Sequence, residues 1–150
     1  MPDIRSVLLA TVEDAYGRKA WHGPNLRGSL RGLNANQAFW RPTDQRHNIW
    51  ELTLHCAYWK HVVRRRLLGD RTAKFPRKGS NFFPTPDPPT EEAWAADLAL
   101  LAETHKALIA AIGKLPDAQV VKSARTIYGV AAHDVYHTGQ IQLLKRMYGV

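Results

Sequence analysis

His133-Asp134-Val135-Tyr136-His137-Thr138-Gly139-Gln140-Ile141 decides how the rest of the chain is read. Its two histidines are four residues apart. On a helix that spacing sets them one above the other, with Cβ atoms about 5–6 Å apart. Both imidazoles then reach a single divalent cation, and imidazole is a common ligand for zinc, nickel, copper and iron. Two histidines leave a site incomplete, so the remaining sequence is searched for a third ligand on an element that can face this helix.

Working outward, the chain has 150 residues, is 45% hydrophobic and 23% charged, and so suits one globular domain over 1–150 with a real core. No apolar run approaches a membrane span. Met1 to Ala15 carries Asp3, Arg5, Glu13 and Asp14 among its apolar positions, which reads as an amphipathic helix and not as a signal peptide. The single cysteine, Cys56, permits no internal disulfide and suggests a reducing cytoplasm. The formal net charge is +8, with basic clusters at Arg64-Arg65-Arg66 and from Arg71 to Lys78. No helix-turn-helix or RNP-type motif accompanies them, which argues against nucleic acid and favours a solvated surface ahead of a funnel for anionic substrates.

Hydrophobic periodicity predicts four long helices. The first runs from Pro2 or Asp3 to Tyr16, with Ile4, Val7, Leu8, Thr11, Val12 and Ala15 as its stripe. Between Gly17 and His47 the pattern breaks into short pieces. Asn25 is placed to cap a turn of helix through Leu30, and Asn34 with Gln37 forms a capping arrangement for another ending near Trp40. Trp21, His22 and Trp40 load this connection with aromatics, so it is expected to pack over something. The second long helix spans about Asn48 to Leu68, with Leu52, His55, Trp59, Val62 and Val63 on one side and Thr53, Ala57, Lys60 and Arg64 on the other. Prolines 76, 84, 86, 88 and 89 exclude helix from Gly69 to Pro89, where Phe75, Phe82 and Phe83 favour a packed lid over a free tether. The third helix spans about Thr90 to Gly113. Ala118 to Tyr128 shows no strong pattern and reads as a connection. The fourth helix begins near Val130 and ends at about Tyr148, with His133, Tyr136, His137, Gln140, Leu144 and Met147 on an inward arc and Asp134, Thr138, Gln142, Lys145 and Arg146 opposite. No strand-like alternation stands out. The fold class is all-α, a four-helix bundle with long connections after its first two helices.

Inward histidines are costly unless they are hydrogen-bonded or ligating. His55 lies inside an apolar stripe on a different helix from the pair, and facing helices of a bundle build metal sites in this way. The set His55, His133 and His137 is therefore the candidate site, and three protein ligands leave positions for water or substrate. His105 reads as a core histidine or a group behind the ligands, and His61 as a solvated flank residue. Cys56 is turned about 100° from His55 and reads as a small buried hydrophobe. His47 and His22 stand where they could line a pocket.

Four segments carry a family resemblance: Ala20-Trp21-His22-Gly23-Pro24; His47-Asn48-Ile49-Trp50-Glu51-Leu52-Thr53-Leu54-His55 with Trp59; Pro89-Thr90-Glu91-Glu92-Ala93-Trp94; and the His133–Ile141 stretch. In this order, over nearly the whole chain, they resemble the DinB-like (YfiT-like) family of metal-dependent enzymes. The resemblance implies an up-down-down-up bundle and a divalent metal on His55, His133 and His137. It implies a homodimer in many members, and in some relatives thiol transfer with a low-molecular-weight thiol such as bacillithiol or mycothiol. The segment before His133 departs from the pattern in being short.

The expectation is a cytoplasmic, metal-dependent S-transferase or hydrolase acting on a small electrophilic molecule, with nickel or zinc. Glu51 is the candidate general base or orienting carboxylate, Asp134 and Gln140 are further orienting groups, and His22, His47, Trp59 and Gln140 are candidate substrate contacts. The rival expectation is a non-catalytic metal- or ligand-binding module of a stress response.

Overall fold

The computed structural model describes residues 3–150, and among them six helices and no strands are found. Helix α1 is Ile4–Tyr16, α2 is Leu26–Leu30, α3 is Ala35–Phe39, α4 is Ile49–Leu68, α5 is Glu91–Lys114 and α6 is Asp117–Tyr148. No helix among the described residues is long and apolar enough to cross a membrane.

The starts of α1 to α5 follow from side chains that satisfy otherwise free backbone N–H groups, whereas α6 starts after Pro116 with no side-chain cap. Asp3 accepts from Ser6 N at 2.7 Å ahead of α1, and the expectation for Pro2 lies outside the described residues. Asn25 accepts from Gly28 N ahead of α2. Asn34 with Gln37 and Asn48 with Glu51 form reciprocal capping boxes ahead of α3 and α4. Thr90 caps α5. Helix α4 ends at Gly69, whose φ of 64° is left-handed and therefore suits glycine.

The fourth long helix differs from the reading of the sequence. It begins at Asp117, so Ala118 to Tyr128 is helix and not a connection. Val120, Ile127, Val130 and Ala131 are buried at helical spacing, and their packing against Leu8, Val12, Val63, Leu108 and Ile112 overrides the weak local pattern. At 32 residues, α6 is about 48 Å long.

Two face assignments also change. On α4, Thr53, Ala57 and Lys60 are wholly buried and His61 is 9% exposed, because α5, α6 and the Gly69–Pro89 loop cover this helix nearly all round. On α6, Asp134 and Thr138 are buried while Tyr136 and Met147 are exposed. The inward face is centred on Asp134, His137, Thr138 and Ile141, one step round from the arc read in the sequence. Trp21, expected to pack, is fully exposed in the turn closed by the Ala20–Gly23 bridge.

Side-chain contacts set the helix directions. Trp50 Nε1 donates to Asp97 Oδ2 at 2.8 Å and its ring meets Trp94, so α4 and α5 start together and run parallel. Arg5 donates to the carbonyls of Ile112 and Leu115, and Glu13 lies 3.4 Å from His105, so α1 runs against α5. The tight turn at Leu115-Pro116 returns α6 alongside α1.

The apolar core falls into two clusters. One surrounds Trp50, Trp94, Leu26, Leu101 and Ile141. The other surrounds Leu8, Val12, Leu108, Ile112 and Ile127. Between them lies a layer of buried polar groups that includes His55, Lys60, His105, Asp134, His137 and Thr138. A polar layer across a bundle costs desolvation and is kept only where its groups find partners.

Candidate metal centre

The three histidines predicted to converge do so. His55 of α4 places its Nε2 at 2.9 Å from His133 Nε2, and His133 Nε2 lies 3.1 Å from His137 Nε2 on α6. The ligand atoms of all three lie within 4.8 Å of one another, in an arrangement able to hold a metal ion. His55 and His137 are 6% and 7% exposed, so the cluster is shielded by the protein.

The other ring nitrogens define what the Nε2 atoms carry. His55 Nδ1 lies 2.9 Å from the Asn81 carbonyl oxygen, which only accepts, so Nδ1 bears the proton. His137 Nδ1 donates to Gln140 Oε1 at 2.6 Å. Both Nε2 atoms are then lone pairs aimed at the same point. A proton on His133 Nε2 would be shared between the two and would leave the buried His133 Nδ1 as a lone pair, and that atom has no partner. A cation satisfies all three lone pairs at once. Two nitrogens about 2.05 Å from one ion are about 2.9 Å apart at a right angle and about 3.3 Å apart at the tetrahedral angle, which brackets the observed separations. Metal-ligating imidazoles characteristically donate their second N–H to a carbonyl or carboxylate, as His55 and His137 do here. The residues fit a divalent metal.

Electrostatics agree. Burial depresses the pKa of His55, His133 and His137, and neighbouring imidazoles depress all three further; His133 is brought down to about 3. At neutral pH the rings are uncharged and free to ligate.

The Gly69–Pro89 loop supplies the anchor for His55. Asn81 adopts a left-handed φ of 67°, which asparagine tolerates better than most residues. Its carbonyl holds His55, and its side-chain oxygen accepts from Trp59 Nε1 at 3.0 Å. Phe82 stacks on His55 at 4.2 Å between ring centroids and on its other side on His47 at 3.7 Å. The loop is thus packed, as its phenylalanines suggest. Asn81 was not picked out from the sequence; the only signal is an asparagine in the Gly79-Ser80-Asn81 turn just before two phenylalanines.

Glu51 has both carboxylate oxygens engaged. Oε1 accepts from Arg41 at 2.8 Å, and Oε2 takes His47 Nδ1 at 2.9 Å and the Asn48 N–H at 3.1 Å. Burial pushes its pKa up, but the hydrogen bonds from Arg41, His47 and Asn48 and the charge of Arg41 outweigh it, so the carboxyl lies below its ordinary value. Glu51 therefore orients His47.

A cavity of about 600 Å³ opens beside the histidines, lined by His137, Gln140, His47, Phe82, Tyr136 and Leu144 among others. Of the predicted substrate contacts, His47 and Gln140 lie on it. Trp59 is on the far side of the cluster, edge-on to His55 and His133. His22 lines a separate recess with Tyr128 and Val135, between α1 and α6. Behind His133, Asp134 forms a fully buried ion pair with Lys60. Cys56 is buried beside them, and burial raises its thiol well above the usual range, which fits the expected packing role.

The family model for the DinB superfamily matches residues 19–141, a span that includes all three histidines, the Asn81 anchor and the cavity's His47 and Gln140. No curated protein and no solved structure matches the chain. With most of its length matched by that model, this chain belongs to the DinB superfamily.

Proposed function

We propose that the protein is a metal-dependent enzyme acting on a small electrophilic molecule by thiol transfer or hydrolysis. The observation that carries this reading is the convergence of three uncharged imidazoles through Nε2, with two of them oriented by hydrogen bonds at Nδ1. A divalent ion held there supplies Lewis acidity, which makes a water or thiol nucleophilic near neutral pH.

The chain's own residues supply the remainder. Phe82, Tyr136, Leu144 and Met147 give the cavity apolar walls that bind the body of a small organic substrate. His47, held at Nδ1 by Glu51, keeps Nε2 for a proton and stands one ring away from His55 across Phe82. A base oriented by a carboxylate suits removal of a proton from the nucleophile or its delivery to a leaving group. Gln140 fixes the His137 ring and borders the same cavity.

The test is turnover of an aryl halide and an epoxide by the metal-loaded protein, with and without a panel of low-molecular-weight thiols. Turnover that needs both metal and His47, and is lost in His47→Gln with metal content unchanged, supports the reading. Full metal occupancy with no turnover of any substrate overturns it and leaves a metal-binding module without chemistry.

A further inference from the structure

The basic clusters at Arg64–Arg66 and Arg71–Lys78 take no part in the metal centre. The fold brings them together around a separate recess of about 380 Å³, between the second half of α4 and the loop that follows it. Arg65, Arg71, Lys74, Arg77 and His61 line it, with Tyr58 and Phe75 as its floor.

The nearby carboxylates are already engaged. Asp70 accepts from the backbone N–H groups of Thr72 and Ala73 at 2.8 and 3.0 Å and stands 3.9 Å from Arg64. Asp97 takes Arg77 and the Trp50 indole. Arg65 is tied only through Nε, to the Asp70 carbonyl at 3.1 Å. Arg71 and Lys74 form no hydrogen bond or ion pair among the described residues. The loop cannot spread these charges apart, because Phe75 is wedged against Tyr58, His61 and Phe83 at 5.0–5.6 Å between ring centroids. His61, only 9% exposed, closes one side of the recess.

We propose that this recess is a binding site for a small molecule bearing a phosphate or polyphosphate group. A concave surface lined by one sign of charge concentrates its field on a compact anion. Arginine forks with a lysine point charge suit tetrahedral phosphate oxygens, and three unmatched cations exceed the single charge of a carboxylate. A recess of about 380 Å³ suits a small anion, and no helix projects from it to enter the groove of a duplex. The site is independent of the metal centre.

Inorganic pyrophosphate, titrated into the metal-loaded protein by calorimetry at physiological ionic strength, is the probe. The expected result is saturable one-to-one binding, far tighter than acetate. Arg71→Gln with Lys74→Gln weakens it about tenfold or more, since charge-assisted hydrogen bonds are lost. Neither side chain supports the fold, so metal content and the melting temperature stay unchanged, and His137→Ala leaves pyrophosphate binding intact. Absence of saturable binding, equal binding by the double variant, or tighter and steeply salt-dependent binding of duplex DNA would overturn the proposal.

Discussion

Lys60 and Asp134 form an ion pair with both side chains wholly removed from solvent, directly behind His133 of the histidine cluster. Burial pushes the Asp134 carboxyl above its usual range against the pull of the Lys60 ammonium. Lys60 also lies 5.3 Å from the Tyr16 ring, which stacks on His105. The pair joins α4 to α6 at the level of the histidines and forms the centre of the polar layer between the two apolar clusters.

Breaking this pair from one side leaves a buried charge alone. Lys60→Met is expected to destabilise the protein by about 3–5 kcal/mol, lowering the melting temperature by roughly 10 °C. Lys60→Met combined with Asp134→Leu recovers most of the loss. Thermal unfolding of the three proteins checks this, and a double variant no better than the single one contradicts it.

Loss of one of the three histidines is expected to empty the candidate centre. The purified protein is expected to carry about one divalent ion per chain, and His137→Ala or His55→Ala to carry almost none. Elemental analysis after dialysis reads the result directly. Equal metal in all three proteins would remove the assignment.

The groups behind the ligands matter by a smaller amount. Gln140→Ala frees the His137 ring and is expected to weaken metal binding about 10–100-fold while the fold is kept. Competition with a metal-binding dye gives the affinity.

The anchor for His55 depends on a left-handed backbone. Asn81→Gly retains the carbonyl and the conformation, and should keep the metal. Asn81→Val puts a β-branched residue at φ 67° and is expected to cost about 1–3 kcal/mol and to loosen His55. Denaturant unfolding and metal content of the two variants separate these outcomes.

Acid weakens the metal-free fold. Burial holds His133 and His105 near a pKa of about 3 in the folded chain, against about 6.5 when unfolded. Between those values the unfolded chain binds more protons, so stability is lost as pH falls from about 6.5 toward about 3 and is level above that window. Denaturant midpoints of the metal-free protein across this range check the sign, and His105→Leu should make the slope shallower.

The sequence by itself determined the helices with strong periodicity, the asparagine caps before α2 and α3, and the three histidines that converge. An i, i+4 histidine pair and a histidine in an apolar stripe are local patterns, and local geometry already fixes which side chains share a face. What only tertiary structure decided is everything that depends on coverage from several sides. Lys60 and Asp134 look like solvent-facing residues until the opposing helix brings them together. The first third of α6 lacks a clear pattern, yet it is helical because Val120 and Ile127 meet α1, α4 and α5. Asn81 is remote from His55 in the chain, and only the folded loop brings its carbonyl to the ring. Burial and pairing are properties of distant segments in contact, and periodicity along one segment cannot encode them.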